Sequence, residues 1–256
     1  MMRRNVLLLA MLALPVAAAD RNETQPRVVD PGAHGQAPSD AVVLFDGKDV
    51  SEWVHRDGSP ARWPIVDGTL TCKSNTGHIF SKRKFASAQI HVEFAIPDMP
   101  AAKDQAKGNS GVYLHGRYEI QVLDSYRNPT YPTGSCAALY GQYPPLVNAS
   151  RPPEQWQSYD IVFHAPQCGP DGKVAAPGTL TLFHNGVLVQ DHVTIKNATA
   201  GSERKGACEP GPLMLQDHYH PDVKETFMRF RNIWYRPLET RDSILNSRFP
   251  AHENRN

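Results

Sequence analysis

The sequence predicts an all-β fold, a sandwich or barrel, and three observations carry that expectation. Apolar stretches of strand length recur from Ala41 onward with turn signals between them. No stretch between them spaces apolar residues by three and four over a helical length. The 22 prolines and 18 glycines favour many turns over long helices. Many short strands with frequent turns are the pattern of packed antiparallel sheets.

In chain order, residues 1–19 read as a secretory signal peptide: Arg3 and Arg4 give the positive start, Val6 to Val16 the short apolar run, and Ala17-Ala18-Ala19 the small-residue cleavage site before Asp20. The expected destination is periplasmic or secreted, with no membrane contact after cleavage. Residues 20–40 are polar and rich in Pro, Gly and Asp, which predicts a flexible leader. Strand candidates follow at 41–45, 62–66, 68–72, 88–96, 111–115, 117–123, 158–164, 178–184, 187–195, 212–216 and 225–236. In 88–96, Ile90, Val92, Phe94 and Ile96 make one face and Gln89, His91 and Glu93 the other, the alternation of a half-buried strand. Asn185-Gly186 is the turn of the clearest hairpin. The stretch 125–157 has six prolines together with Tyr126, Tyr131, Tyr140, Tyr143 and Trp156, which predicts an ordered lid rather than a linker. Residues 239–256 read as a polar tail.

Net charge is +1, so no electrostatic reason favours nucleic acid or an anionic membrane as partner. No phosphate loop or nucleophile elbow occurs. Four cysteines, 72, 136, 168 and 208, allow three pairings, and strands running to one end of a sheet favour Cys168 with Cys208.

Residues 109–126, "NSGVYLHGRYEIQVLDSY", carry the candidate chemistry. Alternation puts Arg117, Glu119, Gln121 and Leu123 on one face, and a one-residue bulge would bring Asp124 round to join them. Two carboxyl groups on one strand can straddle a glycosidic bond. A solvent-facing polar strand would have the same pattern.

The chain resembles the 3-keto-disaccharide hydrolase domain family. The resemblance rests on "LFDGKDVSEW" (44–53), "NSGVYLHGRYEIQVLD" (109–124), "NASRPPEQWQSYDIVFHAP" (148–166), "HNGVLVQD" (184–191), "GPLMLQDHYHPDV" (211–223) and "MRFRNIWYRPL" (228–238), in order over residues 41–238. It implies a concanavalin A-like jelly roll of two antiparallel sheets. It also implies a carbohydrate substrate, a disaccharide or glucoside oxidised at carbon 3. Laminarinase-type enzymes of that fold carry Glu-x-Asp-x-x-Glu on the catalytic strand; here Glu119-x-Gln121-x-x-Asp124 replaces it. The amide at 121 argues against an ordinary double displacement.

A carbonyl at carbon 3 acidifies the proton on carbon 2, so elimination followed by hydration becomes the expected route. Glu119 is the expected base, Gln121 or Arg117 the stabiliser of oxygen charge, and His218 or Asp124 the acid. Asn109, Glu93 and Tyr140 are further candidates for substrate contact. No cofactor is required by this route. A divalent metal is the alternative electrophile, with Glu119, Asp124 and His218 as ligands. A non-catalytic carbohydrate-binding module and a conventional glycosidase are the competing readings. The aglycone and the oligomeric state stay open.

Overall fold

A computed structural model describes residues 26–33, 35–200, 202, 206–218 and 228–238. The signal peptide, the first part of the leader and the polar tail lie outside the described residues. Fifteen strands are found among the described residues: β1 (Val42–Phe45), β2 (Trp53–Val54), β3 (Ile65–Val66), β4 (Thr69–Thr71), β5 (Ile79–Phe85), β6 (Ala88–Ala95), β7 (Ser110–Leu114), β8 (Tyr118–Val122), β9 (Trp156–His164), β10 (Gln167–Cys168), β11 (Val174–Ala176), β12 (Thr179–His184), β13 (Val187–Thr194), β14 (Gly211–Leu215) and β15 (Arg229–Pro237). One sheet has the order β13-β12-β9-β6-β15-β4-β3, with β1 also on β15; a second has the order β2-β5-β14-β7-β8. All their pairings are antiparallel.

The sandwich follows from alternation. Ile90, Val92 and Phe94 of β6, with Tyr159, Ile161 and Phe163 of β9, join Val112, Leu114, Ile120 and Val122 of β7 and β8 in one buried cluster. Each such side chain contributes about 1.5–3 kcal/mol by leaving water. Asn185 and Gly186 both take positive φ, 53° and 80°, which closes β12 and β13 with His184 opposite Val187. Trp53, Trp63 and Trp234 are buried.

One sequence expectation is corrected. β5 was not expected, because Lys82, Arg83 and Lys84 break its alternation. Its register against β14 shifts between Pro212 and Met214, and the three cations are exposed in succession at that irregularity. The described end of the leader is anchored: Asp40 pairs with Arg27 and Arg236, each at 2.7 Å, and Asn232 Nδ2 donates to Gly35 O at 2.6 Å. Cys168 and Cys208 form the disulfide, and Cys72 and Cys136 are buried thiols.

The strand that matters most, β8, ends its sheet, yet its edge is not open. Residues 137–140 of the long loop run along it: Gln121 N donates to Ala138 O at 3.0 Å, Ala137 N to Gln121 O at 2.9 Å and Tyr140 N to Glu119 O at 3.0 Å. From the facing sheet, the fully buried Tyr159 hydroxyl crosses the core and donates to Gln121 O at 2.6 Å. Loop and core together set the position of β8, a covering that edge strands generally need. Tyr159→Phe should lower unfolding stability by about 1 kcal/mol, the usual net worth of one neutral hydrogen bond. Urea titration checks this, and an unchanged midpoint would show that the bond holds nothing in place.

Candidate active site

Glu119 lies on the face of β8 that points away from the core, opposite Tyr113 of β7. Its carboxyl leans across the sheet onto Gly111. A Cβ built there would stand 2.6 Å from Glu119 Oε1 and 2.8 Å from Tyr113 Cε2, so only a residue without a side chain admits this placement. The Glu119 side chain is almost wholly buried. That burial pushes the carboxyl up to about 7, while a hydrogen bond with Tyr113 pulls in the opposite direction. The Tyr113 hydroxyl in turn accepts from Gln216 Nε2 at 3.1 Å.

Gly111 is flanked by two glutamines. Gln121 is its partner on β8, and on the β14 side Gln216 N donates to Gly111 O at 3.0 Å. The Gln121 amide nitrogen faces Gln105 Oε1 at 3.1 Å and Gly134 O at 3.3 Å. A backbone carbonyl only accepts, so the orientation of that amide is settled, and Gln121 Oε1 is left buried without a partner. Gln216 Oε1 is in the same condition. Two buried amide oxygens without partners thus flank the strand that carries Gly111, beside one desolvated carboxyl. The loop adds phenols: Tyr131 and Tyr140 share a hydrogen bond between their hydroxyls. Burial, the Tyr140 hydroxyl and the negative charges of Asp104 and Glu119 all raise the Tyr131 phenol.

The other expected residues sort differently. No register shift interrupts the pairing of β7 and β8, and β8 ends at Val122. The bulge expected to turn Asp124 toward Glu119 is therefore missing from the paired strand. Asp124 Oδ1 accepts from Tyr126 N at 3.1 Å; Lys107 Nζ stands 3.0 Å from Oδ2, off the line of a hydrogen bond, as an ion pair. These contacts tie the segment before β7 to the start of the loop after β8. Leu123, expected beside Glu119, is in the core. Arg117 is buried and directs its guanidinium away from the carboxyl, to Glu209 O at 2.9 Å and Glu209 Oε2 at 3.0 Å. Asn109 Nδ2 donates to Gln105 O at 2.9 Å and steadies the turn before β7.

Glu93 is on the outward face of the other sheet, across the sandwich from Glu119. There Arg231 Nε stands 2.6 Å and Asn232 Nδ2 2.8 Å from its oxygens. Burial opposes its charge, but bonds from His91, Asn232 and Arg231 outweigh that and hold the carboxyl at about 2. His218 is half-buried, two residues past Gln216. Among the described residues no group of three or more His, Cys, Asp or Glu side chains could hold a metal, so Glu119, Asp124 and His218 do not form the expected ligand set.

Sequence reasoning missed Gly111, Tyr113, Gln216 and Gln105. A glycine inside a strand is itself a signal of close approach. Gln216 carries no such mark.

The match to known proteins covers the whole sandwich. Residues 40–236 match the profile of the 3-keto-alpha-glucoside-1,2-lyase-like domain. A crystal structure of a candidate glycosyl hydrolase from Parabacteroides distasonis ATCC 8503 is 39% identical, with a TM-score of 0.78 over 91% of this chain and 100% of that one. Another candidate glycosyl hydrolase of that organism is 19% identical, with a TM-score of 0.58 over 78% of this chain and 94% of that one, and shares the fold. No curated protein matches the chain.

The raised carboxyl has a measurable signature. The fold keeps a proton on Glu119 that the unfolded chain releases near 4.5, so its contribution to stability is complete below about 4.5 and is lost as pH rises toward about 7. An infrared difference titration of wild type against Glu119→Gln should show one protonated carboxyl disappearing near pH 7. A midpoint near 4.5 would mean that the carboxyl is solvated.

Proposed function

The chain belongs to the 3-keto-alpha-glucoside-1,2-lyase-like domain family, a glycoside-cleaving family, and we propose that it cleaves the glycosidic bond of 3-keto-disaccharides or 3-keto-glucosides by elimination and hydration. The observation that carries this reading is the Glu119 carboxyl over Gly111, between two glutamine oxygens that lack partners. A desolvated carboxyl is a strong base for its type, and proton abstraction beside a carbonyl is what such a base serves.

In the ionised form Glu119 takes the proton from carbon 2. The C–H electron pair moves into a C2–C3 double bond and the carbonyl pair moves to O3, where a phenol of Tyr131 or Tyr140 donates to it. This replaces the expectation for Gln121 and Arg117: the free end of the Gln121 amide is an acceptor, and the Arg117 guanidinium is engaged by Glu209. Collapse of the enolate restores C3=O, forms C1=C2 and breaks the bond from C1 to the aglycone oxygen. In an α-glucoside that oxygen and the C2 proton lie on opposite faces of the ring, so the departing oxygen needs a second group as acid. His218 takes this role, since Asp124 is held by Lys107 and the Tyr126 amide. Water then adds at C1 while His218 accepts its proton, and Glu119 returns a proton to C2. Both residues end as they began, and the sum is hydrolysis; stopping before hydration leaves a lyase.

A conventional retaining glycosidase needs a second carboxyl about 5–5.5 Å from the first. Position 121 is an amide and Asp124 is occupied, so that reading loses support. The signal-like start and the Cys168–Cys208 bridge support action outside the cytoplasm.

Glu119→Gln should reduce kcat on a 3-keto-glucoside at least about 100-fold, the usual lower bound for a general base. The wild-type kcat/KM should have a rising limb centred near pH 7, where Glu119 becomes ionised, and should fall again at pH values where His218 no longer carries the proton it gives to the departing oxygen. Turnover of Glu119→Gln near the wild-type rate removes Glu119 from the mechanism, and cleavage of unoxidised trehalose at a similar rate removes the keto requirement.

A further inference from the structure

β8 turns one edge to β7 and the other to two separate segments. Gln121 gives both of its backbone groups to residues 137 and 138 of the long loop, whereas Glu119 divides its own. Glu119 O accepts from Tyr140 N at 3.0 Å, and Glu119 N donates to the Thr199 hydroxyl at 3.0 Å. Thr199 is buried in the segment that joins β13 to β14. Its own amide donates to Arg117 O at 2.9 Å, two residues upstream of Glu119. Donating at 117 and accepting at 119 is how a residue of a parallel strand would grip β8. The difference is the acceptor. Thr199 O is taken by Ser202 N at 3.0 Å in a turn, and the hydroxyl stands in for it.

The segment that carries Thr199 is pinned on either side of it. Upstream, Gln142 Nε2 donates to Asn197 O at 2.9 Å and Gln142 Oε1 accepts from Lys196 N at 2.9 Å. Gln142 lies two residues beyond Tyr140, so its amide joins the two segments that hold Glu119 to each other. Downstream, the fully buried Arg117 guanidinium donates to Glu209 O at 2.9 Å and to Glu209 Oε2 at 3.0 Å. Cys208, next to Glu209, is bridged to Cys168. Arg117, which the chemistry does not use, therefore holds the segment that in turn holds Glu119.

The carboxyl that depends on this grip has little room. It lies over Gly111 where a Cβ would stand 2.6 Å from its Oε1, so a slip of the backbone at 119 moves it off that seat. A misplacement of about 1 Å can cost a reaction roughly 100-fold in rate. We propose that Thr199 is a positioning residue for the reaction: its hydroxyl fixes the Glu119 amide, and with it the seat of the carboxyl over Gly111. Through Gln142 the same grip sets the carboxyl against the loop that carries the Tyr131 and Tyr140 phenols. This deepens the reading of Glu119 as the catalytic base and rests on it.

Thr199→Val keeps the shape of the side chain and removes the acceptor, which leaves Glu119 N buried and unpaired. Thr199→Ser keeps the acceptor. On a 3-keto-glucoside, Thr199→Val should lose about ten- to 100-fold in kcat with KM within about twofold, and Thr199→Ser should stay within about threefold of wild type. The rising limb of kcat/KM in Thr199→Val should also move from about 7 toward 4.5, as the displaced carboxyl regains water. A lowered urea midpoint with kcat and the limb unchanged gives Thr199 a structural role alone and overturns the proposal, as does an equal loss of kcat in Thr199→Ser. If Thr199→Val does not fold, Gln142→Ala decides, because it leaves both grips on Glu119 and cuts only the tie between them. A severalfold loss of kcat at unchanged KM then supports the proposal, and a wild-type kcat overturns it. If the wild type cleaves no 3-keto-glucoside, the parent reading fails, and infrared titration of the Glu119 carboxyl in Thr199→Val decides the grip. A midpoint below that of the wild type supports it, and the same midpoint overturns it.

Discussion

Gly111 has no side chain, and Glu119 on the neighbouring strand fills the space a Cβ would take. That one steric allowance sets where the carboxyl lies, how dry it is, and hence what it can do. Were residue 111 to carry a methyl, the carboxyl would have to stand up from the sheet into water and would titrate like an ordinary glutamate. Instead it lies flat between Gln121 and Gln216, with Tyr113 as the partner that keeps it oriented. Burial raises the proton affinity of a carboxylate because the charged form loses its hydration. The chemistry proposed here needs a base stronger than a solvated carboxylate, and the sheet makes one from glutamate by drying it.

The rest of the fold keeps that arrangement from slipping. β8 is the last strand of its sheet, and a lone edge strand frays. The long loop hydrogen-bonds along it, and the Tyr159 hydroxyl reaches Gln121 O from the opposite sheet. The backbone on both sides of Glu119 is thus held by the same segment that brings Tyr131 and Tyr140 over the site. The carboxylates elsewhere serve structure. Asp124 anchors two loops, Asp217 accepts from Thr76 N at 2.8 Å and Gly77 N at 2.9 Å, and Glu93 is neutralised within a cluster of His91, Arg231 and Asn232. Asp124 faces a lysine, Asp217 two backbone amides and Glu93 an arginine, whereas the partner of Glu119 is the neutral Tyr113 phenol.

Much of this was legible in the residues. The alternation in 88–96, the turn at Asn185-Gly186 and the aromatic content of 125–157 announced two sheets and an ordered loop. Glu119 and Gln121 were readable as neighbours on one face because strand period alone places them there. Asp124 was misplaced because strict alternation had to be broken to include it, and the strand instead ends before it. Glu93 was readable as a polar-face residue, but not as belonging to the opposite side of the sandwich, since that depends on which strands share a sheet. β5 was hidden by three successive exposed cations, whose pattern reflects an irregular pairing that no local rule encodes. Gln216 follows a strand far along the chain, and only the antiparallel pairing of β14 with β7 brings it beside Gly111.

The account turns on removal of the proton at carbon 2 by a carboxylate, before or with departure of the aglycone. Initial cleavage rates of a 3-keto-glucoside carrying deuterium at carbon 2, set against those of the unlabelled compound, test that step directly. Proton abstraction by Glu119 predicts a primary isotope effect, a several-fold slowing of kcat/KM at pH values where the carboxyl is ionised. Equal rates for the two compounds, together with cleavage of the unoxidised glucoside, would contradict it and return the site to ordinary glycoside displacement.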